Sequence, residues 1–209
     1  MCGRFAQGEF PTKLRKIMRE ILDEIYTENY NTTPGEAAGI VVLENNHAAV
    51  AKRLEWGLIP AWNPATRLIN ARSETVAVKP SFRVLFQHHR CLVPALGFYE
   101  WQRGAGEKIP FYFSAADEER PVVMGGIWEG AHFSILTTAA NETMSPIHNR
   151  MPVILPPEDW LDWLNPQFND IRHLTTMMNP VPADYLHCWR VSRHVNNPKN
   201  KGMVCAQSI

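Results

Sequence analysis

The spacing of hydrophobic positions changes from helical to strand-like near residue 38. In the segment 10–26, FPTKLRKIMREILDEIY, apolar residues recur at intervals of three and four, at Leu14, Ile17, Met18, Ile21, Leu22 and Ile25. This spacing forms one apolar stripe on a helix with charged residues opposite, and Pro11 suits its first turn. The segment predicts an amphipathic helix that packs on the rest of the protein and carries no chemistry.

After residue 38 the chain reads as short strands separated by Gly, Pro, Asn and Asp. The runs GIVVLE, AVAKRLEWGLI, CLVPALGFYEW, IPFYFSA, VVMGGIW and HFSILTTAA are rich in β-branched and aromatic residues. Helical patterns return near residue 157 in PPEDWLDWL and NDIRHLTTMM, and LHCWRVS is typical of a last strand. Strands and helices do not alternate as βαβ units, so the pattern predicts an α+β fold with a mostly antiparallel sheet. No composition shift marks a boundary, so we expect one domain over 1–209.

Composition excludes several classes of protein. The chain is 45% hydrophobic and 20% charged, which is typical of a globular protein. Lys plus Arg and Asp plus Glu each number 21, so the net charge is zero and nucleic-acid binding would need a local basic patch. The sequence has neither a signal-peptide apolar core nor an apolar run of membrane-spanning length. We therefore expect a cytoplasmic protein without a membrane partner.

The cysteines indicate a reduced protein without a metal site. The four are widely scattered, and no CxxC pair or metal-ligand spacing occurs among Cys2, Cys91, Cys188 and Cys205. Cys91 and Cys188 lie inside apolar runs and are expected to be inert core residues. We expect no metal and no cofactor.

The first residues, MCGRFA, place Cys2 directly after the initiator methionine. Aminopeptidases readily remove a methionine that precedes a small residue. The chain would then begin with an α-amine and a thiol on adjacent carbons of Cys2. The alternative is an ordinary frayed terminus.

Two segments place polar residues where a strand-rich core would be apolar. INARSET sets Asn70, Arg72 and Glu74 directly after an apolar pair, as a turn with solvated charges or as part of a site. GFYEW sets Glu100 between two aromatic residues. Burial would raise the pKa of that carboxyl and suit it to general acid or base work. Alternatively, strand alternation points Glu100 to solvent.

Two further segments are less specific. SPIHNRMPVIL sets His148 and Arg150 before an apolar strand. A histidine there is a proton carrier at neutral pH or a hydrogen-bonded turn residue. VSRHVNNPKNKG is typical of a turn with a weak basic patch.

Taken in order, seven segments between residue 2 and about residue 202 resemble the SRAP family, named for SOS response-associated peptidase. They are MCGRFA, TTPGE, WGLIPAW, INARSET, GFYEW, IHNRMPVIL and SRHVNNPKNKG. The resemblance implies the SRAP fold, with a barrel-like core and flanking helices. It also implies a sensor and shield of abasic sites in single-stranded DNA that forms a covalent crosslink through an N-terminal cysteine.

The implied chemistry suits an aminothiol. The sugar of an abasic site opens to an aldehyde, which the amine converts to an imine before the thiol closes a five-membered thiazolidine. An α-amine titrates near pKa ~8, against ~10.4 for lysine, so more of it is reactive at neutral pH. The resemblance implies that Glu100 is the acid/base carboxylate beside the Cys2 amine. It implies that His148 carries a proton near the sugar ring oxygen and that Asn70 orients the N-terminus.

Residues beside these motifs suit a DNA surface that reads backbone and lesion rather than sequence. Arginine forks suit phosphates, glycine permits close approach, and exposed rings stack on bases. The candidates are Gly3, Arg4, Pro34, Trp62, Arg72, Thr137 and Arg150. The expected partner is single-stranded DNA containing abasic sites, bound by a monomer associated with a bacterial nucleoid.

Two other functions remain compatible with the residues. An N-terminal-nucleophile cysteine peptidase or amidase would use Cys2 as nucleophile, its own α-amine as base and Asn70 as oxyanion donor, and would include autocatalytic removal of Met1. A non-covalent module for single-stranded DNA would use Cys2 only structurally.

Overall fold

A computed structural model describes residues 2–9, 28–44, 48–103, 106–117 and 120–209. The helix predicted over 10–26 lies outside these residues. The strands are β1 (Phe5–Gln7), β2 (Asn29–Thr32), β3 (Ala37–Leu43), β4 (Ala49–Trp56), β5 (Asn70–Arg72), β6 (Arg90–Pro94), β7 (Gly97–Arg103), β8 (Lys108–Ala115), β9 (Val123–Glu129), β10 (His132–Ala139), β11 (Arg150–Pro152) and β12 (Leu186–Arg190). The α-helices are Ser73–Val76, Arg83–His88, Trp160–Leu164 and Ile171–Met177, and 3-10 turns span Pro157–Asp159, Ala183–Tyr185, Arg193–Asn196 and Met203–Ala206.

The strands form two sheets. One has the order β12-β8-β7-β1-β2, and the other has the order β11-β10-β4-β3-β6-β9. Because β9 also pairs with β10, the strands β10, β4, β3, β6 and β9 close into a ring. Most pairs are antiparallel, but β10 runs parallel to β4 and β5. The predicted α+β fold with mostly antiparallel strands is confirmed.

Aromatic packing holds the first strand in place. Phe5 meets Trp56 edge-on with ring centroids 5.0 Å apart, in the same buried cluster as Phe98 and Phe113. Strand β1 also has neighbours on both sides, since it pairs with β2 and β7. The residues that follow Cys2 are therefore fixed in a sheet rather than frayed.

A buried arginine ties the ring of strands to the helix Trp160–Leu164. Arg90 is 2% exposed. It donates to five backbone carbonyls at 2.5 to 3.0 Å, those of Phe86, Gln87, Trp163, Asn165 and Phe168. Burial lowers the pKa of Arg90 to about 10, so the side chain is still charged at neutral pH.

Arg90→Lys will lower the free energy of unfolding by about 3 kcal/mol, because an ammonium cannot reach all five carbonyls and leaves some of them buried without a donor. Urea unfolding followed by circular dichroism measures the change. Arg83→Lys is the control, since Arg83 is exposed on the helix Arg83–His88, which carries two of the five carbonyls. Equal losses in the two variants would contradict this account of Arg90.

Among the residues that the structure describes, no helix combines the length and apolar character needed to cross a bilayer.

Candidate active site

The first residues enter the site as an extension of β1. Phe5 pairs with Phe98 of β7, and the Tyr99 amide donates to the Arg4 carbonyl at 3.0 Å. Continued by two residues towards the N-terminus, this antiparallel pairing brings Gly3 and Cys2 next to Glu100 of β7. Cys2 is fully buried, with its Sγ 3.9 Å from the Arg4 carbonyl oxygen.

Asn70 holds the Cys2 backbone from the other sheet. Its strand, β5, runs parallel to β10 with Asn70 opposite Ile135. The Nδ2 of Asn70 donates to the Cys2 carbonyl oxygen at 2.8 Å. The Oδ1 of Asn70 is buried and accepts no hydrogen bond from the residues that the structure describes. One amide therefore offers a fixed donor to Cys2 and an acceptor for a further group.

A groove of about 500 Å³ opens beside these residues. Its lining includes four of the predicted site residues and four others, namely Gly3, Arg4, Glu100, His148, Trp101, Arg103, Lys108 and Asn196. Glu100 is only 4% exposed, so its carboxylate lies at the base of the groove rather than in solvent. The groove combines one carboxylate with three permanent cations and a histidine.

The Cys2 thiol is held in its protonated form. Burial raises the pKa of the Cys2 thiol, and the nearby Glu100 carboxylate raises it further. At neutral pH the sulfur is therefore a neutral thiol next to a carboxylate.

The ring of His148 has a defined orientation. Its Nδ1 accepts a hydrogen bond from the Arg150 amide at 3.0 Å. In a neutral ring the proton then resides on Nε2, because a nitrogen that accepts carries none. His148 lines the groove with a ring that can donate a proton from Nε2. Within the described parts of the chain, no three His, Cys, Asp or Glu side chains gather as metal ligands.

Arg150 lies in an ion pair rather than open to solvent. Both terminal nitrogens of Arg150 contact the Glu74 carboxylate, with Nη2 and Oε2 3.0 Å apart. The Arg150 guanidinium holds the pKa of the Glu74 carboxyl below its usual value. Nη2 also donates to the Thr137 carbonyl at 2.5 Å. The exposed neighbour, Arg72, lies on β5 across from Thr137.

The phosphate contact expected at Thr137 is not compatible with its position. Thr137 is fully buried, because β5 and β11 both pair with β10 at this residue. Its hydroxyl donates to the Ala71 carbonyl at 3.4 Å. The side chain cannot reach a phosphate in solvent, and Thr137 instead helps to hold Arg150.

Comparison with known proteins gives the family. The family model described as SOS response associated peptidase (SRAP) matches residues 1–198. The chain belongs to the SRAP family. The abasic site processing protein YoqW of Bacillus subtilis is 36% identical over 225 residues, with both chains covered in full. The abasic site processing protein YoaM of the same organism is 33% identical over 224 residues, which cover 96% of this SRAP chain and 95% of YoaM.

A solved structure shares the fold of this SRAP chain. A protein from Bacteroides thetaiotaomicron superimposes with a TM-score of 0.79, covering 98% of this chain and 99% of its own. The two are 24% identical in sequence, so this likeness concerns the fold alone.

Two candidate stacking residues of the SRAP chain lie away from the groove that contains Glu100. Trp62 is 68% exposed and borders a smaller apolar cleft with Pro60 and Leu85. Pro34 is exposed in the turn between β2 and β3. Neither is among the residues that line the larger groove.

Sequence reasoning missed the four other lining residues. Trp101 and Arg103 follow Glu100 on β7, and Lys108 lies opposite Arg103 in the β7–β8 register. Asn196 accepts a hydrogen bond from the Trp101 indole nitrogen at 2.8 Å. The hairpin was recognisable as strands, but the position of its basic tip depends on the fold of the sheet.

Proposed function

We propose that this chain processes abasic sites in single-stranded DNA and that, after removal of Met1, Cys2 becomes covalently joined to the opened sugar. Both curated relatives described above are named abasic site processing proteins. The observation that carries the proposal is the 2.8 Å contact from Asn70 to the Cys2 carbonyl, beside a groove lined by Glu100 and His148. An amine, a thiol and two proton carriers are the groups that condensation with an aldehyde needs.

The first step opens the sugar and forms an imine. As the C1′–O4′ bond breaks, His148 donates its Nε2 proton to O4′. The proton that leaves the C1′ hydroxyl returns through water to His148, which restores the neutral ring and gives the aldehyde. Glu100 takes a proton from the Cys2 ammonium, whose ordinary pKa near ~8 makes this transfer easy at neutral pH. The amine adds to C1′, and the resulting hydroxyl leaves as water with the proton that Glu100 returns. Holding both partners in register supplies much of the rate gain.

The second step closes the ring without an oxidant or reductant. The Cys2 sulfur bonds to C1′ of the imine, the carbon–nitrogen double bond becomes single, and the thiol proton ends on nitrogen. In the chain that carries Met1, burial and Glu100 raise the pKa of the Cys2 thiol, whereas the positive N-terminus lowers it. We expect the amine to attack first and the sulfur to act once the imine has formed. The product is a five-membered thiazolidine that shields the lesion.

DNA binding in this proposal uses the charged rim of the groove. Arg4 lines the groove and Arg72 is exposed beside Asn70, so both suit flanking phosphates. Gly3 lets the backbone of the strand approach closely. Trp62 and Pro34 are exposed and suit stacking on neighbouring bases.

The state of the thiol favours this chemistry over peptidase activity. A cysteine peptidase attacks through a thiolate, whether preformed or generated by a base such as the α-amine, and a raised thiol pKa makes that deprotonation harder. Burial and the Glu100 carboxylate both raise the pKa of Cys2, which opposes the thiolate. An amine that attacks first does not require that form, and the sulfur acts only after the imine has formed.

A denaturing gel tests the proposal. Protein that begins at Cys2 is incubated with a single-stranded oligonucleotide containing one abasic site, and a heat-stable shifted band is expected. Cys2→Ser should give only an imine, visible after borohydride reduction and lost on heating without it. Cys188→Ser is the control, because Cys188 is a half-buried cysteine on β12 and should leave the band unchanged.

Two outcomes would overturn the proposal. One is a heat-stable band in Cys2→Ser without borohydride. The other is no band from protein whose N-terminal cysteine and whose DNA aldehyde have both been verified. Salt-sensitive binding without any covalent product would favour a non-covalent binding module.

Glu74→Gln will tighten binding to single-stranded DNA about threefold at low salt, because it removes a negative charge and releases the Arg150 guanidinium from its ion pair. Fluorescence anisotropy with an undamaged oligonucleotide measures the change. Glu44→Gln is a matched control, since Glu44 is paired with Lys52 and its side chain is 50% exposed, against 51% for Glu74. Equal affinities for Glu74→Gln and the parent protein would contradict the prediction.

A further inference from the structure

A buried asparagine joins the N-terminal segment to the C-terminal loop. Asn31, on β2, is fully buried. Its Oδ1 accepts a hydrogen bond from Arg4 Nη1 at 2.7 Å. Its Nδ2 shares two hydrogens among three backbone carbonyls at 2.8 to 3.1 Å, those of Val195, Asn197 and Asn200. One side chain thus connects the segment that follows Cys2 to the loop that was recognised in the sequence only as a basic turn.

The hydrogen bonds of Arg4 leave one edge of its guanidinium for a ligand. Nη1 also donates to the Val195 carbonyl at 2.7 Å. Among the described residues, Nη1 carries all of the hydrogen bonds of the Arg4 guanidinium. The remaining donors, Nε and Nη2, point in the same direction and form the fork that binds two oxygens of a phosphate. Arg4 lines the groove, with its guanidinium 5.8 Å from the centre of the Trp101 ring.

The backbone of Asn31 is anchored independently of its amide. Lys201 Nζ donates to the Asn31 carbonyl at 2.8 Å and to both oxygens of Glu36 at 2.6 Å. The Tyr30 amide donates to the Lys201 carbonyl at 2.8 Å. The Asn31 backbone is therefore held by Lys201, and its side-chain amide is held by the three carbonyls of the C-terminal loop. The Oδ1 of Asn31 is thus a fixed acceptor for Arg4.

We infer that Asn31 is a positioning residue that holds Nη1 of Arg4, so that its Nε–Nη2 fork binds a DNA phosphate beside the lesion. The inference rests on the proposed function for its substrate. It assigns the C-terminal loop a role, because the Val195 carbonyl is the second acceptor for Nη1. A lysine at position 4 would retain the charge but could not hold both acceptors and a bidentate phosphate together.

Salt-dependent binding to an undamaged single-stranded oligonucleotide tests the role of Asn31 apart from any covalent chemistry. Asn31→Ala should weaken binding about tenfold, as expected for one charge-assisted contact. It should also reduce the slope of log K against log[salt] by about 0.7, the value for one phosphate contact on a single strand. Arg4→Ala should give the same changes, and the double variant should add nothing further. Arg4→Lys should lose most of the affinity although its charge is retained.

A buried amide elsewhere in the fold controls for stability. Gln7 is 3% exposed, and its side chain makes three backbone hydrogen bonds, to Gly39 and Pro94. Gln7→Ala should lower the melting temperature and leave the salt slope unchanged. Asn31→Ser, which leaves room for water among the carbonyls, provides a milder variant if Asn31→Ala does not fold.

The outcomes separate this inference from the proposed function. An unchanged salt slope in a folded Asn31 variant, or full additivity with Arg4→Ala, overturns the positioning role while crosslinking by the parent protein still stands. Parent protein that binds single-stranded DNA but forms no crosslink overturns the covalent chemistry and leaves the role of Asn31 in place.

Discussion

Protein that retains Met1 will form no heat-stable crosslink with an abasic oligonucleotide, whereas the same chain beginning at Cys2 will. With Met1 attached, the nitrogen of Cys2 is part of an amide, and its lone pair is delocalised into the carbonyl. It can neither exchange a proton with Glu100 near neutral pH nor attack an aldehyde. The thiol alone would give a reversible adduct that heating removes.

One polypeptide supplies both arms of this experiment. A fusion placed ahead of Cys2, with a protease site that ends directly before it, is tested on a denaturing gel before and after cleavage. Cleaved Cys2→Ser protein is the control, because it has a free amine but no thiol to close the ring. Intact mass of the product should equal protein plus DNA minus one water. A heat-stable band of equal strength from the uncleaved fusion would refute the role assigned to the amine.

The long strands could be predicted from the sequence, because their β-branched and aromatic residues identify them. The point at which the chain passes from one sheet to the other could not be predicted. The run CLVPALGFYEW covers most of β6, in one sheet, and most of β7, in the other. Both halves are buried, so their apolar pattern is continuous across the switch. Gly97 marks it in the structure, because an added Cβ would lie 2.2 Å from the Phe113 carbonyl oxygen. The sequence alone does not distinguish Gly97 from the other glycines, because the close approach of Phe113 depends on the fold.

The shortest strands position the site, and their length explains why alternation could not identify them. β1, β5 and β11 have three residues each, too few to show an alternation. Nevertheless, β1 comes shortly after Cys2, β5 begins at Asn70, and β11 begins at Arg150. The motifs therefore identified these residues by family resemblance, while their placement comes from pairing with longer strands.

Residues that act across the chain were the hardest to predict. Asn31 has hydrogen-bond partners 164 and 169 positions away, and its own segment, NYNTTP, resembles a turn. Thr137 was a candidate phosphate contact, but strands pair with β10 on both sides of it and bury it. In both cases the decisive neighbours come from distant segments, which local patterns do not specify.

Glu100→Gln will slow crosslink formation about a hundredfold at neutral pH, the scale expected for losing a general acid–base group. The amide has nearly the same shape as the carboxylate but cannot take the ammonium proton or return it to the leaving water. Single-turnover reactions sampled on a denaturing gel give the rate. Glu44→Gln controls for the loss of one negative charge, since Glu44 pairs with Lys52 outside the groove.

The same variant separates the two steps of the reaction, because the charge of Glu100 acts on them in opposite directions. The carboxylate raises the pKa of the Cys2 thiol, so its removal lowers that pKa and increases the thiolate fraction at any given pH. Ring closure should therefore not be slowed, and the loss should fall entirely on imine formation. Borohydride trapping should show less imine at early times in Glu100→Gln than in the parent protein. Accumulation of imine would instead mean that Glu100 serves the thiol step, and the assignment of the amine proton to this carboxylate would be wrong.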